Sequence, residues 1–242
     1  MSGLSDTRPV RRVQRHPQAS YDGSRWPFTL APVQALLTDG LDLPAGVTFL
    51  VGENGSGKST LVEALALAYG LNPEGGSTGA RHSTRVSESE LSGVLQLVRS
   101  PGQRGWSYFL RAETMHGLYT YLEQNPGGND PRFHEMSHGE GFLEVFRNKF
   151  DARGFFLMDE PESALSFQSC LALLVVLDDL RRRGSQVVVA THSPLLAALP
   201  GATILELGEH GLRRTTWAEL ELVGNWRSYL DDPRRWLRHL LD

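Results

Sequence analysis

Short apolar runs alternate along the chain with longer segments of helical spacing. Val47 to Val51 is a run of apolar and β-branched residues without polar alternation, the pattern of a strand covered on both faces. Gly154–Met158 and Gln186–Ala190 repeat that pattern, and shorter strands are predicted at Trp26–Leu30, Leu41–Leu43, Trp106–Ala112 and Ala202–Leu207. Helices are predicted at Ser59–Tyr69, ended by Gly70, and at Ser166–Arg183, ended by Gly184. Further helical spacing covers Glu90–Arg99, Met115–Glu123 and Gly141–Phe150, and a brief Ala/Leu-rich helix precedes Leu41. Another helix opens at Pro194-Leu195-Leu196, and residues 217–242 read as mostly helical, with three of the five tryptophans. Residues 72–90 and 125–132 are rich in Gly, Ser and Pro and read as loops, and the Arg-rich residues 1–20 as a frayed terminus or an edge strand. Strands alternating with helices predict an α/β fold, a mostly parallel sheet with helices on both faces.

Composition narrows the class. The chain has 242 residues, 40% hydrophobic and 21% charged, which fits one globular domain over 1–242 with a sizeable core. No stretch approaches 18 apolar residues and the N-terminus lacks an apolar signal core, so a cytoplasmic protein with no transmembrane segment is expected. Cys170 is the single cysteine, which excludes a disulfide framework and zinc ribbons. A net charge of −4 gives no electrostatic reason for generic nucleic-acid coating. Lys58 and Lys149 are the only lysines among 24 basic residues, so a lysine here invites a chemical reason.

The chemistry centres on Gly52-Glu53-Asn54-Gly55-Ser56-Gly57-Lys58-Ser59-Thr60, which fits G-x4-G-K-[ST] between a buried strand and a helix. Glycines allow consecutive backbone N–H groups to turn onto phosphate oxygens, and the helix start adds its positive dipole end. Lys58 supplies a compact ammonium to the β- and γ-phosphates, and Ser59 a hydroxyl to Mg²⁺. Gly154–Glu160 is an apolar strand ending in two carboxylates. Asp159, expected beside the phosphate-binding strand, is assigned to hold Mg²⁺, and Glu160 to polarise an attacking water. His192 follows a third buried strand and stands at the ligand-facing edge of the sheet, within reach of a terminal phosphate or that water. Ser137-His138-Gly139-Glu140 is a capping box, and a helix start is also an anion site.

In this order, the four elements resemble the ATP-binding cassette type of P-loop NTPase over roughly residues 45–207. Ser137–Glu140 looks like the family's signature, with His138 in place of a glycine, carried on a short helical lobe at 114–150. Gly154–Glu160 resembles the Walker B strand, Ser163–Ser166 the loop that crosses a dimer interface, and His192 the switch histidine. A Mg²⁺-contacting Gln is expected after the strand that follows the P-loop helix. None is found, and Glu113 takes that place. The resemblance implies an ATP-dependent homodimer in which Ser137 and Gly139 of each copy bind the ATP held by the other. The tract Asp159–Ser166 is most similar to small stand-alone ATPases of the SMC and RecF type, acting with DNA or a protein partner. The alternative is the ATPase subunit of a membrane transporter. Transporter subunits typically carry Thr where this chain has Glu162, and only about two dozen residues separate Glu113 from Ser137. Long coiled-coil arms are excluded, since no heptad tract lies between the P-loop and the signature.

Overall fold

The computed structural model describes residues 8–73, 75–77, 90–101, 105–112, 152–163, 165–238 and 240. Glu113, Ser137, Gly139 and the helices expected at 115–123 and 141–150 lie outside the described residues.

The strands are β1 (Val10–Arg15), β2 (Leu41–Asp42), β3 (Gly46–Gly52), β4 (Gly76–Ser77), β5 (Leu95–Arg99), β6 (Trp106–Arg111), β7 (Gly154–Asp159), β8 (Gln186–Thr191), β9 (Thr203–Gly208) and β10 (Gly211–Thr215). The helices are α1 (Ala31–Asp39), α2 (Lys58–Tyr69), α3 (Glu90–Val94), α4 (Phe167–Arg182), α5 (Glu221–Asp231) and α6 (Pro233–Leu237). Seven strands form the main sheet in the order β10-β9-β3-β8-β7-β6-β4. Its five central strands run parallel, and β10 and β4 close the edges antiparallel. A second, antiparallel sheet has the order β2-β1-β5.

The runs without polar alternation are explained by two cores, one on each face of the main sheet. Phe49, Val51, Phe156, Met158, Val187 and Val189 pack with Leu173, Leu177 and Leu180 of α4. Their alternate neighbours Leu50, Phe155, Leu157, Val188 and Ala190 pack with Leu61, Val62 and Leu65 of α2. Successive side chains of a strand point to opposite faces, so a strand apolar at every position serves both cores. Gln186, buried at the start of β8, joins the two sheets. Its Nε2 donates to the carbonyls of Val10 (2.7 Å), Pro44 (3.0 Å) and Leu43 (3.2 Å), and its Oε1 accepts from Val10 N–H at 3.0 Å.

Several expectations are corrected. Trp26–Leu30 forms turns rather than a strand, with a cis Trp26–Pro27 bond. Proline cannot donate to a strand ladder, which disfavours the predicted pairing. The span Glu90–Arg99 divides into α3 and β5, because β5 pairs with β1 from Arg15↔Leu95 to Val10↔Arg99. β1 therefore lies between β2 and β5, with Val10 and Val13 fully buried, and is neither frayed nor an edge. The turn after Pro194 is a short 3-10 helix at Leu196–Ala198, and β10 was not foreseen. Finally, β7 is not beside β3. β8 lies between them, so Asp159 is one strand further from the P-loop than the sequence suggested.

Candidate functional site

The parallel strands bring the site residues to one sheet edge. Val51 is opposite Thr191, Ala190 opposite Asp159, and Asp159 opposite Arg111, so β3, β8, β7 and β6 finish together. The segments leaving that edge carry the P-loop, His192 and Glu160, the expected placement of a ligand site in an α/β sheet.

The P-loop folds as its residue types require. A Cβ on Gly52 would lie 2.5 Å from the Leu207 carbonyl oxygen and 2.7 Å from Ser56 Oγ, so no other residue fits without displacement. Gly57 caps α2 with φ of 94°, a left-handed conformation that L side chains rarely adopt. No side chain caps α2, so its first N–H groups have no side-chain acceptor. Ser56 Oγ is buried and has no hydrogen-bond partner among the described residues. Lys58 is 3% exposed and its Nζ donates to the Glu53 carbonyl at 2.8 Å. Burial pulls its pKa below the ordinary 10.5, while Glu160, Asp159, Glu162 and Glu53 work in the opposite direction. Glu53, Asn54 and Gly55 are exposed, and Ser59 and Thr60 are half-buried in the first turn of α2.

Asp159 ends β7 and is 5% exposed, with Arg111 Nε 3.7 Å from its Oδ2. Arg111 also binds Glu63 of α2 at 3.0 Å. Glu160 is the one non-glycine residue with positive φ among those described, at 48°. Its backbone N–H donates to the Ala190 carbonyl at 2.9 Å, which holds the turn against β8. His192 Nε2 lies 2.7 Å from Glu160 Oε1. An ionised carboxylate only accepts, so this contact places the imidazole proton on Nε2. A non-glycine residue in the left-handed region costs on the order of 1–3 kcal/mol and tends to mark functional turns.

Within the described residues the fold unites Gly52 to Thr60, Asp159, Glu160 and His192. The sequence reading missed Arg111, Glu63 and the engagement of Glu162 with Thr191 and His192. Arg111 stands at the carboxyl end of a parallel strand, a position that could have flagged it. Glu162 was visible as a carboxylate where transporter subunits typically have Thr.

The donor set fits a nucleotide triphosphate with a divalent cation. An uncapped helix start, a glycine cradle, the Ser56 hydroxyl and a buried ammonium suit phosphate oxygens. The Asp159 carboxylate and Ser59 hydroxyl are hard oxygen donors suited to Mg²⁺. A cleft of about 1070 Å³ opens beside the P-loop, lined by Glu53 to Ser56, His192, Thr29 and the Gly208–His210 turn.

Comparisons with known proteins bear on the family and the fold. Residues 37–106 match a family described as an AAA domain. Residues 117–198 match one described as "AAA domain, putative AbiEii toxin, Type IV TA system". The chain is 30% identical over 166 residues to the cytochrome c biogenesis ATP-binding export protein CcmA of Paracoccus denitrificans, covering 67% of this chain and 76% of that protein. It is 24% identical over 184 residues to an uncharacterized ABC transporter ATP-binding protein of Haemophilus influenzae, covering 66% and 69%. Against the ribose import ATP-binding protein RbsA 1 of Agrobacterium fabrum it is 28% identical over 180 residues, 64% of this chain but 35% of that protein's length. A solved structure, "An inward-facing conformation of a putative metal-chelate type ABC transporter", shares the fold with a TM-score of 0.52 at 16% identity, covering 92% of this chain and 89% of that one. No helix among the described residues is long and apolar enough to cross a membrane. The phosphate cradle on this parallel sheet and its relatives together show that the chain belongs to the ATP-binding cassette and AAA group of P-loop ATPases.

Proposed function

We propose that the chain hydrolyses ATP at the P-loop edge and passes the energy to a partner through an ATP-dependent homodimer. The observation that carries this reading is the Glu160–His192 contact at 2.7 Å, set at the edge that holds Lys58 and Asp159. In this mechanism the P-loop N–H groups and Lys58 bind and orient the β- and γ-phosphates, and Asp159 and Ser59 would hold Mg²⁺. When bound, Mg²⁺ supplies positive charge against the phosphate oxygens. Glu160 takes the proton of the attacking water, and His192 donates from Nε2 to the Glu160 carboxylate and holds it in place. Ser137 and Gly139 of one copy would bind the ATP of the other, and Glu113 would add a contact to the cation.

The named relatives support a membrane component as the downstream partner, more than the stand-alone DNA-associated regulator suggested by Asp159–Ser166. The regulator reading keeps support from the two AAA-domain matches. One experiment tests both levels. Glu160→Gln should bind ATP and lose turnover by about 10²–10⁴, the range of a lost general base. Wild-type turnover in that variant removes the mechanism. With ATP, the trapped variant should be recovered with membrane components from detergent extracts. Stimulation of wild-type turnover by DNA, with no membrane partner recovered, would favour the regulator.

A further inference from the structure

We propose that Glu162 is a positioning residue, which holds the Thr191–His192 turn so that His192 stays aligned on Glu160. The inference rests on reading Glu160 and His192 as the pair that activates water.

Glu162 Oε1 accepts both the Thr191 hydroxyl and the His192 backbone N–H, the latter at 2.8 Å. The Thr191 hydroxyl in turn accepts Ser193 N–H at 2.9 Å. A hydroxyl has one proton, so giving it to Glu162 fixes which lone pairs face Ser193. One carboxylate oxygen therefore organises Thr191, the last residue of β8, and the two residues that follow it, where strand pairing no longer fixes the backbone. Charge-assisted bonds of this kind are about twice as strong as neutral ones. The turn that carries Glu162 is itself closed by Ser163 N–H on the Glu160 carbonyl at 3.0 Å. The β7 turn thus grips the β8 turn twice. Glu160 holds the imidazole ring and Glu162 holds the backbone beneath it.

The second oxygen, Oε2, is buried with no hydrogen-bond partner among the described residues. A carboxylate kept in that setting costs stability unless its other contacts return something. A threonine at this position could not present an oxygen to both Thr191 and His192 over the same span. The departure from the transporter pattern at Glu162 is thereby given a role, as a brace for the histidine turn.

The test uses the full chain, with steady-state ATP turnover and separately measured nucleotide affinity. Glu162→Ala should lower kcat by about 10–100-fold while ATP affinity changes less than about threefold. Glu162→Gln keeps an acceptor oxygen and should recover most of the loss. Thr191→Val removes one of the two donors and should give a smaller kcat loss. A structural role alone would not predict the decisive readout, which is the double variant. Placed on His192→Ala, Glu162→Ala should add almost nothing, because it acts through the histidine. Multiplicative losses in the double variant, or a rise in KM at unchanged kcat, would overturn the proposal. If Glu162→Ala fails to fold, the Thr191→Val cycle on His192→Ala decides by the same criterion. Wild-type turnover in both Glu160→Gln and His192→Ala would instead overturn the underlying reading of the pair. Loss in those two with none in Glu162→Ala would overturn only the brace.

Discussion

Replacing Lys58 by alanine tests the phosphate site most directly. Lys58 Nζ donates to the Glu53 carbonyl at 2.8 Å and is almost fully buried. A charge-assisted bond to a phosphate contributes about 1.5–3 kcal/mol. Binding exchanges the Glu53 carbonyl for an anionic oxygen, so the net contribution lies inside that range, at about 2 kcal/mol. That corresponds to about 30-fold in Kd. The assay is equilibrium titration with a fluorescent ATP analogue at neutral pH, in a Glu160→Gln background that prevents turnover. Titration also supplies a sign. Burial lowers the Lys58 pKa below 10.5, and phosphate contact needs the ammonium. Affinity should therefore fall as pH rises through that lowered value, and Lys58→Ala should abolish this alkaline decline. A depressed lysine pKa means that the charged form costs stability below the folded pKa, and that the cost vanishes above 10.5. Nucleotide-free Lys58→Met should accordingly melt no lower than wild type at neutral pH. Affinity within about threefold of the parent, in a variant with unchanged melting, would refute the assignment of Lys58 to the phosphates.

Other outcomes follow from the same structure. Glu160→Gln with ATP and Mg²⁺ should elute at twice the apparent mass in size-exclusion chromatography, and a monomer under saturating nucleotide would contradict the dimer. Gln186→Ala removes the side-chain partner of the Val10 N–H and of the Val10 and Pro44 carbonyls, while the Leu43 carbonyl keeps Arg8. At about 1–3 kcal/mol for an unsatisfied buried group, it should lower Tm by roughly 2–12 °C in a chain of this size. Ser166 Oγ accepts Ser169 N–H at 3.2 Å as the N-cap of α4, so Ser166→Ala should cost about 0.5–2 kcal/mol in thermal or denaturant melts. Ser166→Asp should restore that loss, since aspartate caps as well as serine.

Local physics determined a good part of this protein from sequence. The P-loop was legible because only glycine tolerates the approach at Gly52 and the left-handed turn at Gly57, and only a lysine or arginine supplies the cation. Strands β3, β7 and β8 were legible because a strand buried on both faces has no polar alternation to hide it. Asp159, Glu160 and His192 were legible because they stand where such strands end. Tertiary structure decided what depends on partners distant in the chain. The segment Leu95–Arg99 reads as helix by spacing yet becomes strand because β1 offers it a ladder, some eighty residues upstream. The insertion of β8 between β3 and β7 is a choice of strand order, and apolar runs of equal quality do not encode their neighbours. Arg111 finds Glu63 and Asp159, and Glu162 finds Thr191 and His192, across separations that no periodicity records. Residue types fix which chemistry a strand end can offer, whereas the packing of separate strands decides which of those ends meet.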